Sequence, residues 1–345
     1  MVYKVIQWGT GAMGSGMVQM MLDKPNYFKV VAGIKRRDVK AKTDLGAALG
    51  LKQKAGCYVF NDPAQALNRK ADIVLHTTDS FTRNVYKELI AIAEAGKNCI
   101  TIAEQMSYPW AKEPELAKKI DKAFKANDVT CLGTGVNPGF ILDLVIVTLT
   151  GACLEVKSIE AQRINDLSPF GDTVMRTQGV GTTPEEFQKG LKSGAIVGHI
   201  GFDESINMIA KSLGWKLSNI KQTREPIISN VYRETSVVKV QPGMVAGCRH
   251  IGIGYVNNKP KITLVHPQQI HPHLENVQTG DYIKIEGNPC INMSNVPELP
   301  GGKGTIAVAV NMIPHVIKAA PGLKTMLDLP VPSALMGYKR ENVRT

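Results

Sequence analysis

The first 140 residues alternate short apolar runs with stretches in which apolar residues recur every three or four positions. Apolar runs of four to eight residues are typical of buried strands, and the 3.6-residue period is typical of helices. The predicted strands are Lys4–Trp8, Lys29–Ile34, Tyr58–Phe60, Ile73–Thr77, Asn98–Ile102 and Val129–Leu132. The predicted helices are Ala12–Leu22, Pro63–Leu67, Thr82–Ala95 and Pro114–Ala126. This α/β order predicts a Rossmann-type, doubly wound parallel sheet with ligands at the carboxyl ends of its strands.

After residue 140 the pattern changes to longer strands that alternate apolar and polar positions. The predicted strands are Lys157–Ile164, Ile227–Tyr232, Ser236–Val240, Arg249–Val256, Lys261–His266 and Tyr282–Gly287. The predicted helices are Phe140–Thr150, Thr183–Lys192 with Thr183 as N-cap, and Asp203–Leu213. A tight turn at Asn257-Asn258 indicates a hairpin. We expect a second, α+β domain with a largely antiparallel sheet.

The chain of 345 residues is long enough for two domains. We expect a dinucleotide-binding domain over residues 1–140 and a substrate-binding and dimerisation domain over 141–302. Gly301-Gly302 precedes an apolar helix, Thr305–Ala319. We therefore predict that residues 303–345 return to the first domain.

The junction between the first strand and the first helix carries a G-x-G-x-x-G motif. In a strand-to-helix turn, the first glycine allows the tight bend, the second lets the backbone approach a pyrophosphate, and the third lets the helix pack on the strand. The pyrophosphate is then bound by the free N–H groups of the helix N-terminus. The residues expected to bind the dinucleotide here are Gly9, Thr10, Gly11, Ala12, Met13 and Gly14.

Composition excludes several classes of protein. The net charge of +11 is spread along the chain without a nucleic-acid recognition module, so we expect a basic surface and no nucleic-acid partner. No apolar run is long enough to span a membrane, and because the first strand begins near the N-terminus we expect no leader peptide. Six scattered cysteines without a C-x-x-C pair indicate reduced thiols in a cytoplasmic protein.

The residues after the second strand decide the choice of cofactor. NAD enzymes usually place an acidic residue there to bind the ribose 2′-hydroxyl. Here Lys35, Arg36 and Arg37 stand in that place, and cations would complement a 2′-phosphate. These residues favour NADP, while Asp38 leaves NAD open and a basic surface turn is the alternative interpretation.

Hydroxyl groups follow the fourth strand at Thr77, Thr78 and Ser80. At the end of a parallel strand they are within reach of a nicotinamide ribose, and we assign Thr77 and Thr78 to the cofactor site. The alternative is helix capping by Ser80 or Thr82.

Two further strand ends carry candidate chemistry. Glu104 follows the fifth strand, where a carboxylate over the nicotinamide could take a proton from water or an amine. The alternative is a surface acid or a cap. Asn137 lies in a second glycine-rich junction, residues 133–140, and either bonds the carboxamide or a substrate or only shapes the turn.

The second domain carries a polar segment directly after its first strand. Arg163 is a candidate clamp for a substrate carboxylate, and Asn165 is a candidate donor to the same ligand. The structural alternative is an ion pair between Arg163 and Asp166 that braces the loop.

A histidine-rich segment lies at residues 266–273. Its spacing suggests metal ligands, but the prolines break helix geometry and no Cys or Asp/Glu cluster accompanies it, so we expect no metal. His266 is expected to face the substrate. One or both of His271 and His273 are expected to be structural.

Taken together, these motifs resemble the 2,4-diaminopentanoate dehydrogenase family, in the dihydrodipicolinate-reductase-like group that includes native amine dehydrogenases. The resemblance covers essentially the whole chain. The motifs that carry it are Gly9–Gly16, Thr101–Met106, Gly133–Gly139, Arg163–Gly171, His266–His273 and Pro300–Thr305. The basic His/Lys signature of the true dihydrodipicolinate reductases is missing, which argues against that activity.

The resemblance implies oxidation of the C4 amine of 2,4-diaminopentanoate to 2-amino-4-oxopentanoate and ammonia, a step of ornithine degradation. Glu104 matches the family's catalytic glutamate, which activates water for attack on an iminium. The matching pocket residues are Asn137, Arg163, Asn165 and His266, with Thr305 a weaker candidate. By their chemistry we assign Arg163 and His266 to the carboxylate end of the substrate, and the two asparagines to the amine or to other hydrogen bonds. Relatives also imply a homodimer.

Two other functions fit the sequence less well. One is an NAD(P)-dependent dehydrogenase for another small amine or amino acid, and Arg163 argues against it because a simple alkyl amine needs no carboxylate clamp. The other is a non-catalytic sensor of NADP(H), which could dispense with Glu104 and a polar pocket.

Overall fold

The computed structural model describes residues 2–36, 40 and 42–336. The chain divides into two compact units. The first unit consists of residues 1–140 and 301–345, and the second consists of residues 141–300.

The first unit begins with alternating strands and helices. These are β1 Tyr3–Trp8, α1 Ala12–Leu22, β2 Phe28–Ile34, α2 Leu45–Ala48, β3 Val59–Phe60, α3 Pro63–Leu67, β4 Ile73–His76, α4 Thr82–Glu94, β5 Asn98–Thr101, α5 Pro114–Ala126 and β6 Thr130–Gly133. Two 3-10 helices, Glu104–Ser107 and Pro109–Ala111, lie between β5 and α5.

The second unit begins with a helix and is built mainly of strands. Its elements are α6 Leu144–Thr150, β7 Glu155–Asp166, α7 Asp172–Thr177, α8 Pro184–Ser193, α9 Phe202–Ser212, β8 Leu217–Ile228, β9 Arg233–Glu234, β10 Lys239–Val240, β11 Val245–Val256, β12 Lys259–Gln269, β13 Gly280–Asn288 and β14 Ile291–Asn295. A 3-10 helix, Pro272–Glu275, precedes β13. The chain then returns to the first unit with α10 Gly301–Asn311, α11 Ile313–Lys318 and β15 Gly322–Lys324.

The sheet of the first unit is parallel throughout its described pairs, in the order β15-β6-β5-β4-β1-β2-β3. The strand order reverses between β1 and β4, the point where such sheets form a crevice for ligands. Helices cover the sheet with apolar stripes. In α4, for example, Val85, Leu89 and Ile92 are fully buried and recur at helical spacing.

The sheet of the second unit has the order β14-β13-β7-β12-β11-β8. The β7–β12 pair is parallel and the other pairs are antiparallel. Helix α9 packs on one face, where Phe202 and Ile206 lie so close to Gly252 that a Cβ there would come within 2.8 Å of Phe202. An α/β architecture with a parallel sheet and a second, mostly antiparallel sheet is thereby confirmed.

Local signals placed several elements correctly. Helices α1, α3 and α5 have the predicted bounds. Thr183 caps α8 in a reciprocal capping box with Glu186. Asn257 and Asn258 adopt φ of 50° and 61° and connect β11 to β12, as the hairpin signal predicted.

Other element bounds were wrong. Helix α6 begins at Leu144 rather than Phe140, because the Asp143 carboxylate caps it at 2.6 Å. The returning segment forms two helices instead of one, since Pro314 has no N–H to continue α10.

Several strands were also misjudged. Strand β8 starts ten residues before the predicted Ile227 and ends at Ile228, and β10 comprises only Lys239–Val240. Strands β14 and β15 and helix α7 had not been predicted. In the described part of the chain, no helix is long and apolar enough to cross a membrane.

Candidate active site

The glycine turn after β1 is packed against the end of β4. Gly9 has φ 102°, and a Cβ there would lie 2.4 Å from Thr77 Oγ1. A Cβ on Gly14 would lie 2.1 Å from the carbonyl oxygen of Gly9. Both positions therefore require glycine, one for the bend and one for the approach of α1.

Gly11 differs from these two glycines, because a Cβ there would meet no atom within 4 Å. Gly11 is the N-cap of α1, with no side-chain cap and no acidic residue in the first turn. The N–H groups of the first turn are thus left to an external anion. Thr10, Ala12 and Met13 are at least partly exposed around this open cradle, which fits the pyrophosphate of a dinucleotide.

Thr77 and Thr78 donate their hydroxyl protons inside the protein. Thr77 Oγ1 lies 3.2 Å from the Trp8 carbonyl oxygen and braces the glycine turn. Thr78 Oγ1 donates to Glu88 Oε2 at 2.6 Å. Either threonine could therefore contact a ribose only by accepting a hydrogen bond at its hydroxyl oxygen.

The N-cap of α4 is Phe81, which has no side-chain cap, and Asp79 accepts two hydrogen bonds at the start of this helix. Its Oδ1 accepts from Phe81 N at 3.0 Å and from Asn84 Nδ2 at 3.1 Å. The alternative that Ser80 or Thr82 caps this helix is therefore wrong.

The basic residues after β2 lie next to an acidic residue of α4. Arg36 Nη2 lies 3.0 Å from Glu88 Oε1, and Lys35 is partly exposed. Arg37 and Asp38 lie outside the described residues. Glu88 is itself held by His76 Nε2 at 2.7 Å and by Thr78. Burial works against the charged form, but these hydrogen bonds and that from Arg36 outweigh it and bring the pKa of Glu88 to about 2.

Glu104 opens the 3-10 helix that follows β5. This short helix is tied to the start of α4, because Gln105 N donates to the Ser80 carbonyl oxygen at 3.2 Å and Thr82 N donates to Gln105 Oε1 at 3.0 Å. The β4–α4 junction and the end of β5 are thereby held together, with Glu104 between them.

The environment of Glu104 favours its protonated form. Burial raises the pKa of the Glu104 carboxyl, the charge of Asp79 raises it further, and hydrogen bonds from the Ser80 hydroxyl and its own backbone N–H lower it in part. A carboxyl group of raised pKa accepts a proton more readily than an exposed carboxyl group does, as a general base requires. Ser80, considered only for a ribose contact or a cap, is thus the direct partner of this acid.

Asn137 lies in the glycine-rich loop after β6. Its Nδ2 and Oδ1 are both buried and have no hydrogen-bond partner among the described residues. The loop is held by Thr305 of α10, whose Oγ1 accepts from Val136 N at 3.2 Å. Since the Asn137 amide does not brace the turn, it is free to bind a ligand, and Thr305 positions the loop that carries it.

Arg163 of β7 is 2% exposed and is fully engaged in an ion pair. Its guanidinium pairs with Asp281, which is opposite in the β7–β13 register, and also donates to the Leu299 carbonyl oxygen. The alternative prediction of an ion pair was right for Arg163 but named the wrong acid. Asp166 accepts hydrogen bonds from Ser168 and does not pair with Arg163. The charge of Arg163 is compensated inside the second unit.

Three histidines gather on the α9-covered face of the second sheet. His266 Nδ1 lies 2.7 Å from the Arg163 carbonyl oxygen, so Nδ1 carries the proton and Nε2 is an acceptor. The ring of His199 lies 4.9 Å from that of His266, and its backbone N donates to His250 Nδ1 at 3.0 Å. His199 Nε2 and Asn165 Oδ1 are buried without a partner among the described residues.

These histidines are held neutral. Burial lowers the pKa of His199 to about 3 and of His250 to about 2, with the charge of Arg224 adding to both. Burial also lowers the pKa of His266 well below its usual value. His199 had not been predicted as a site residue, and only its position between Gly198 and Gly201 could have drawn attention to it.

The structure therefore brings the predicted residues together within each unit. In the first unit, the glycine turn, Thr77, Glu104 and Asn137 follow β1, β4, β5 and β6, which are neighbours in the sheet. In the second unit, Arg163 and Asn165 of β7 lie beside His266 of β12.

Comparison with known proteins identifies the relatives of this chain. A family model described as the 2,4-diaminopentanoate dehydrogenase C-terminal domain matches residues 140–345. A 2,4-diaminopentanoate dehydrogenase of Acetoanaerobium sticklandii is 49% identical over 98% of this chain and 96% of its own length. An amine dehydrogenase of Streptomyces virginiae is 23% identical over 96% of this chain and 97% of its own.

Among solved structures, an amine dehydrogenase from Mycobacterium smegmatis has a TM-score of 0.85 at 27% identity and covers 96% of this chain and 97% of its own. The family model spans more than half of the chain, and the relative at 49% identity spans nearly all of it. These relatives are named as dehydrogenases, which makes this protein an oxidoreductase and confirms the resemblance seen in its motifs. The chain belongs to the 2,4-diaminopentanoate dehydrogenase family.

Proposed function

We propose that the protein oxidises the C4 amine of 2,4-diaminopentanoate with a nicotinamide cofactor, giving 2-amino-4-oxopentanoate and ammonia, and that it runs the reductive amination in reverse. The observation that carries the reaction type is Glu104, a partly buried carboxyl of raised pKa at the end of β5. The substrate is inferred from the 49% identity to a protein of that activity.

Glu104 serves two proton transfers in this reaction. The substrate ammonium must lose a proton before hydride can leave C4, and a carboxylate of raised pKa is a suitable acceptor. The nicotinamide, when bound, supplies the hydride acceptor. Glu104 releases this proton to solvent and then takes a proton from the water that attacks the resulting C4 iminium. It returns that proton to the nitrogen of the carbinolamine, and ammonia leaves as the hydroxyl proton passes back to Glu104 and the ketone forms.

We propose that His266 contacts an N–H group of the substrate rather than its carboxylate. Its Nδ1–H donates to the Arg163 carbonyl oxygen, so Nε2 can only accept while the ring is neutral. A neutral acceptor suits an amine, which revises the assignment of His266 to the carboxylate end. Asn137 and Asn165, with their unpartnered buried atoms, remain our candidates for hydrogen bonds to the ligand.

A dehydrogenase for a different small amine stays the second candidate. The compensation of Arg163 by Asp281 favours it, because the side chain expected to bind a carboxylate already neutralises an internal one. Two relatives named amine dehydrogenases agree with this alternative. The sensor is not favoured, since it needs neither a carboxyl of raised pKa nor an unpartnered Asn137.

A steady-state assay separates these functions. Formation of reduced cofactor is measured with 2,4-diaminopentanoate and with 2-aminopentane, which has an amine but no carboxylate, each with NAD and NADP. We expect diaminopentanoate to give a kcat/KM at least about tenfold higher, the effect of about one charge-assisted hydrogen bond. Equal rates would favour the second candidate, and no reduced cofactor with 2,4-diaminopentanoate would refute the proposed substrate.

We propose NADP as the preferred cofactor. Support comes from Lys35 and Arg36 at the end of β2 and from the open cradle at Gly11. The Arg36→Ala variant is expected to weaken NADP binding about tenfold and to leave NAD binding unchanged. Arg83→Ala removes an equally exposed arginine from α4 and is the control. Equal loss of both cofactors would contradict NADP preference.

We also propose a homodimer formed by the face of the second sheet that points away from α9. Gly252 and Gly254 face α9, so the alternating Ile251 and Ile253 of β11 point to the other face, beside Val265 of β12. All three side chains are partly exposed. An Ile251→Arg variant should be monomeric in light scattering, whereas an unchanged mass would exclude this face.

We also propose a cytoplasmic location, which the six free cysteines fit.

A further inference from the structure

The segment His271-Pro272-His273 has no part in the proposed reaction, yet it lies beside a carboxylate. The structure brings Asp166, at the end of β7, to the two histidines that follow β12. One ligand atom from each of Asp166, His271 and His273 lies within 4.8 Å of the other two. The sequence showed no acidic partner for these histidines, because Asp166 is more than 100 residues away.

Asp166 and His271 are held in place by bonds that leave ligand atoms available. Asp166 Oδ1 accepts from Ser168 N at 2.8 Å, Ser168 Oγ at 2.5 Å and His271 N at 3.1 Å. His271 Nε2 lies 2.7 Å from the Glu234 carbonyl oxygen and therefore donates to it. The lone pair of His271 is then on Nδ1, which lies 3.1 Å from the Ser168 hydroxyl. A backbone carbonyl that fixes the tautomer in this way is the usual partner of a metal-bound histidine.

Arg233 holds the turn that carries the two histidines by hydrogen bonds. This side chain is fully buried and donates to Ile270 O at 2.5 Å, to His271 O at 3.3 Å and to the Glu275 carboxylate. His271 is held with φ 44°, a conformation that is uncommon for residues other than glycine. The backbone around the cluster is therefore held by hydrogen bonds from the protein itself, and a metal would not have to organise it.

We propose that Asp166, His271 and His273 form a binding site for a divalent transition metal of the zinc type in the second unit. Two imidazoles and one carboxylate are the donor set that zinc and its neighbours prefer, whereas magnesium and calcium require mainly oxygen ligands. Zinc bonds of about 2.0–2.2 Å place tetrahedral ligand atoms about 3.4 Å apart. The His273 side chain is exposed, so it can move the short distance that brings its ligand atom to this spacing. Water completes the coordination on the solvent side.

The expected consequence of binding is local. The metal would replace the Ser168 hydroxyl at His271 Nδ1 and join residues 166–168 to the 271–273 turn. The Ser168 hydroxyl keeps its bond to Asp166. Because none of the three ligands takes part in the proposed proton transfers, metal binding and amine oxidation are tested by different measurements, and failure of one leaves the other intact.

The experiment is calorimetric titration of the full-length, tag-free protein with zinc chloride, and with magnesium chloride as the negative control. The decisive variant is His273→Ala, whose exposed side chain has no hydrogen bond among the described contacts. His315→Ala, which removes a histidine of α11, is the matched control. Asp166→Asn keeps a hydrogen-bond acceptor and removes the charge, and its fold is checked by thermal unfolding.

We expect the unmodified protein and His315→Ala to bind one zinc ion with equal affinity and neither to bind magnesium. His273→Ala and Asp166→Asn should each bind zinc at least about tenfold more weakly. Visible absorption on adding cobalt(II) should show the intensity of tetrahedral coordination in the unmodified protein and lose it in His273→Ala. No stoichiometric zinc binding, or binding unchanged in His273→Ala, would overturn the proposal.

Discussion

The two units use polar groups in opposite ways. In the first unit, groups at the strand ends are available to bind a ligand or a proton. The cradle at Gly11 is open, and both side-chain amide atoms of Asn137 have no hydrogen-bond partner among the described residues. The pKa of Glu104 is raised. In the second unit, the buried charge of Arg163 is compensated by Asp281, and burial lowers the pKa of His199 and His266. We therefore expect proton transfer in the first unit, while these groups of the second unit offer mainly neutral hydrogen bonds.

The largest expected effect tests whether the first unit carries the proton chemistry. Glu104→Gln keeps the size of the side chain but cannot accept a proton, so kcat should fall by about a thousandfold. The cofactor dissociation constant, measured by fluorescence titration, should stay unchanged. Glu94→Gln at the exposed end of α4 is the control and should retain full activity. If Glu104→Gln turned over normally, the proposed division between the units would be lost.

The second prediction tests whether Arg163 is structural. Asp281→Asn would leave a buried, uncompensated guanidinium and should lower the free energy of unfolding by about 3–5 kcal/mol in urea titrations. Asp172→Asn breaks an exposed pair with Arg176 and should leave the stability unchanged. A loss of substrate affinity in Asp281→Asn without loss of stability would instead indicate that Arg163 serves the ligand.

The third prediction concerns pH. The folded-state pKa values of His199 and His250 are about 3 and 2, below the ordinary 6.5, so the unfolded chain binds more protons. Stability should therefore fall as pH drops below 6.5, by up to about 2 kcal/mol per histidine by pH 5. The raised pKa of Glu104 acts in the opposite sense, but it is one group against several.

Urea unfolding at pH 7, 6 and 5 measures this dependence, and His250→Gln should reduce its slope. The same slope in His250→Gln, or no dependence on pH in the unmodified protein, would mean that these rings are not held neutral.

The smallest effect distinguishes two glycines of one motif. Gly11→Ala adds a methyl group to open space, so it should weaken cofactor binding about tenfold and leave the melting temperature unchanged. Gly14→Ala forces a Cβ to within 2.1 Å of the Gly9 carbonyl oxygen and should lower the melting temperature as well. Equal melting temperatures for the two variants would show that the turn tolerates the extra carbon.

Elements of the fold were predicted correctly where their sequence signals are local. The bounds of α1, α3 and α5 were correct, because a glycine turn, a proline in the first turn and an apolar stripe are local features. Strands β14 and β15 were missed because they are short and lie at sheet edges, where one-sided pairing needs no strong apolar pattern. The start of β8 was missed because this longer strand also lies at a sheet edge and has no buried residue.

The same distinction between local and long-range signals applies to the candidate site. Glu104 and the glycines could be found because each follows a strand directly, and parallel strands bring their carboxyl ends to one edge. The partners that set their chemistry could not be found. Ser80 beside Glu104, and Glu88 beside Arg36, come from segments that only the packed sheet and helices bring together.

The sequence by itself determined the α/β class, the dinucleotide turn and the family, because these depend on residues that are neighbours along the chain. Only the tertiary structure decided that Arg163 is paired with Asp281, that His266 is an acceptor, and that Asp166 lies beside His271 and His273. The physical reason is that charge compensation, tautomer and ligand geometry are set by atoms a few ångströms away in space. In this protein those atoms are more than 100 residues away in sequence.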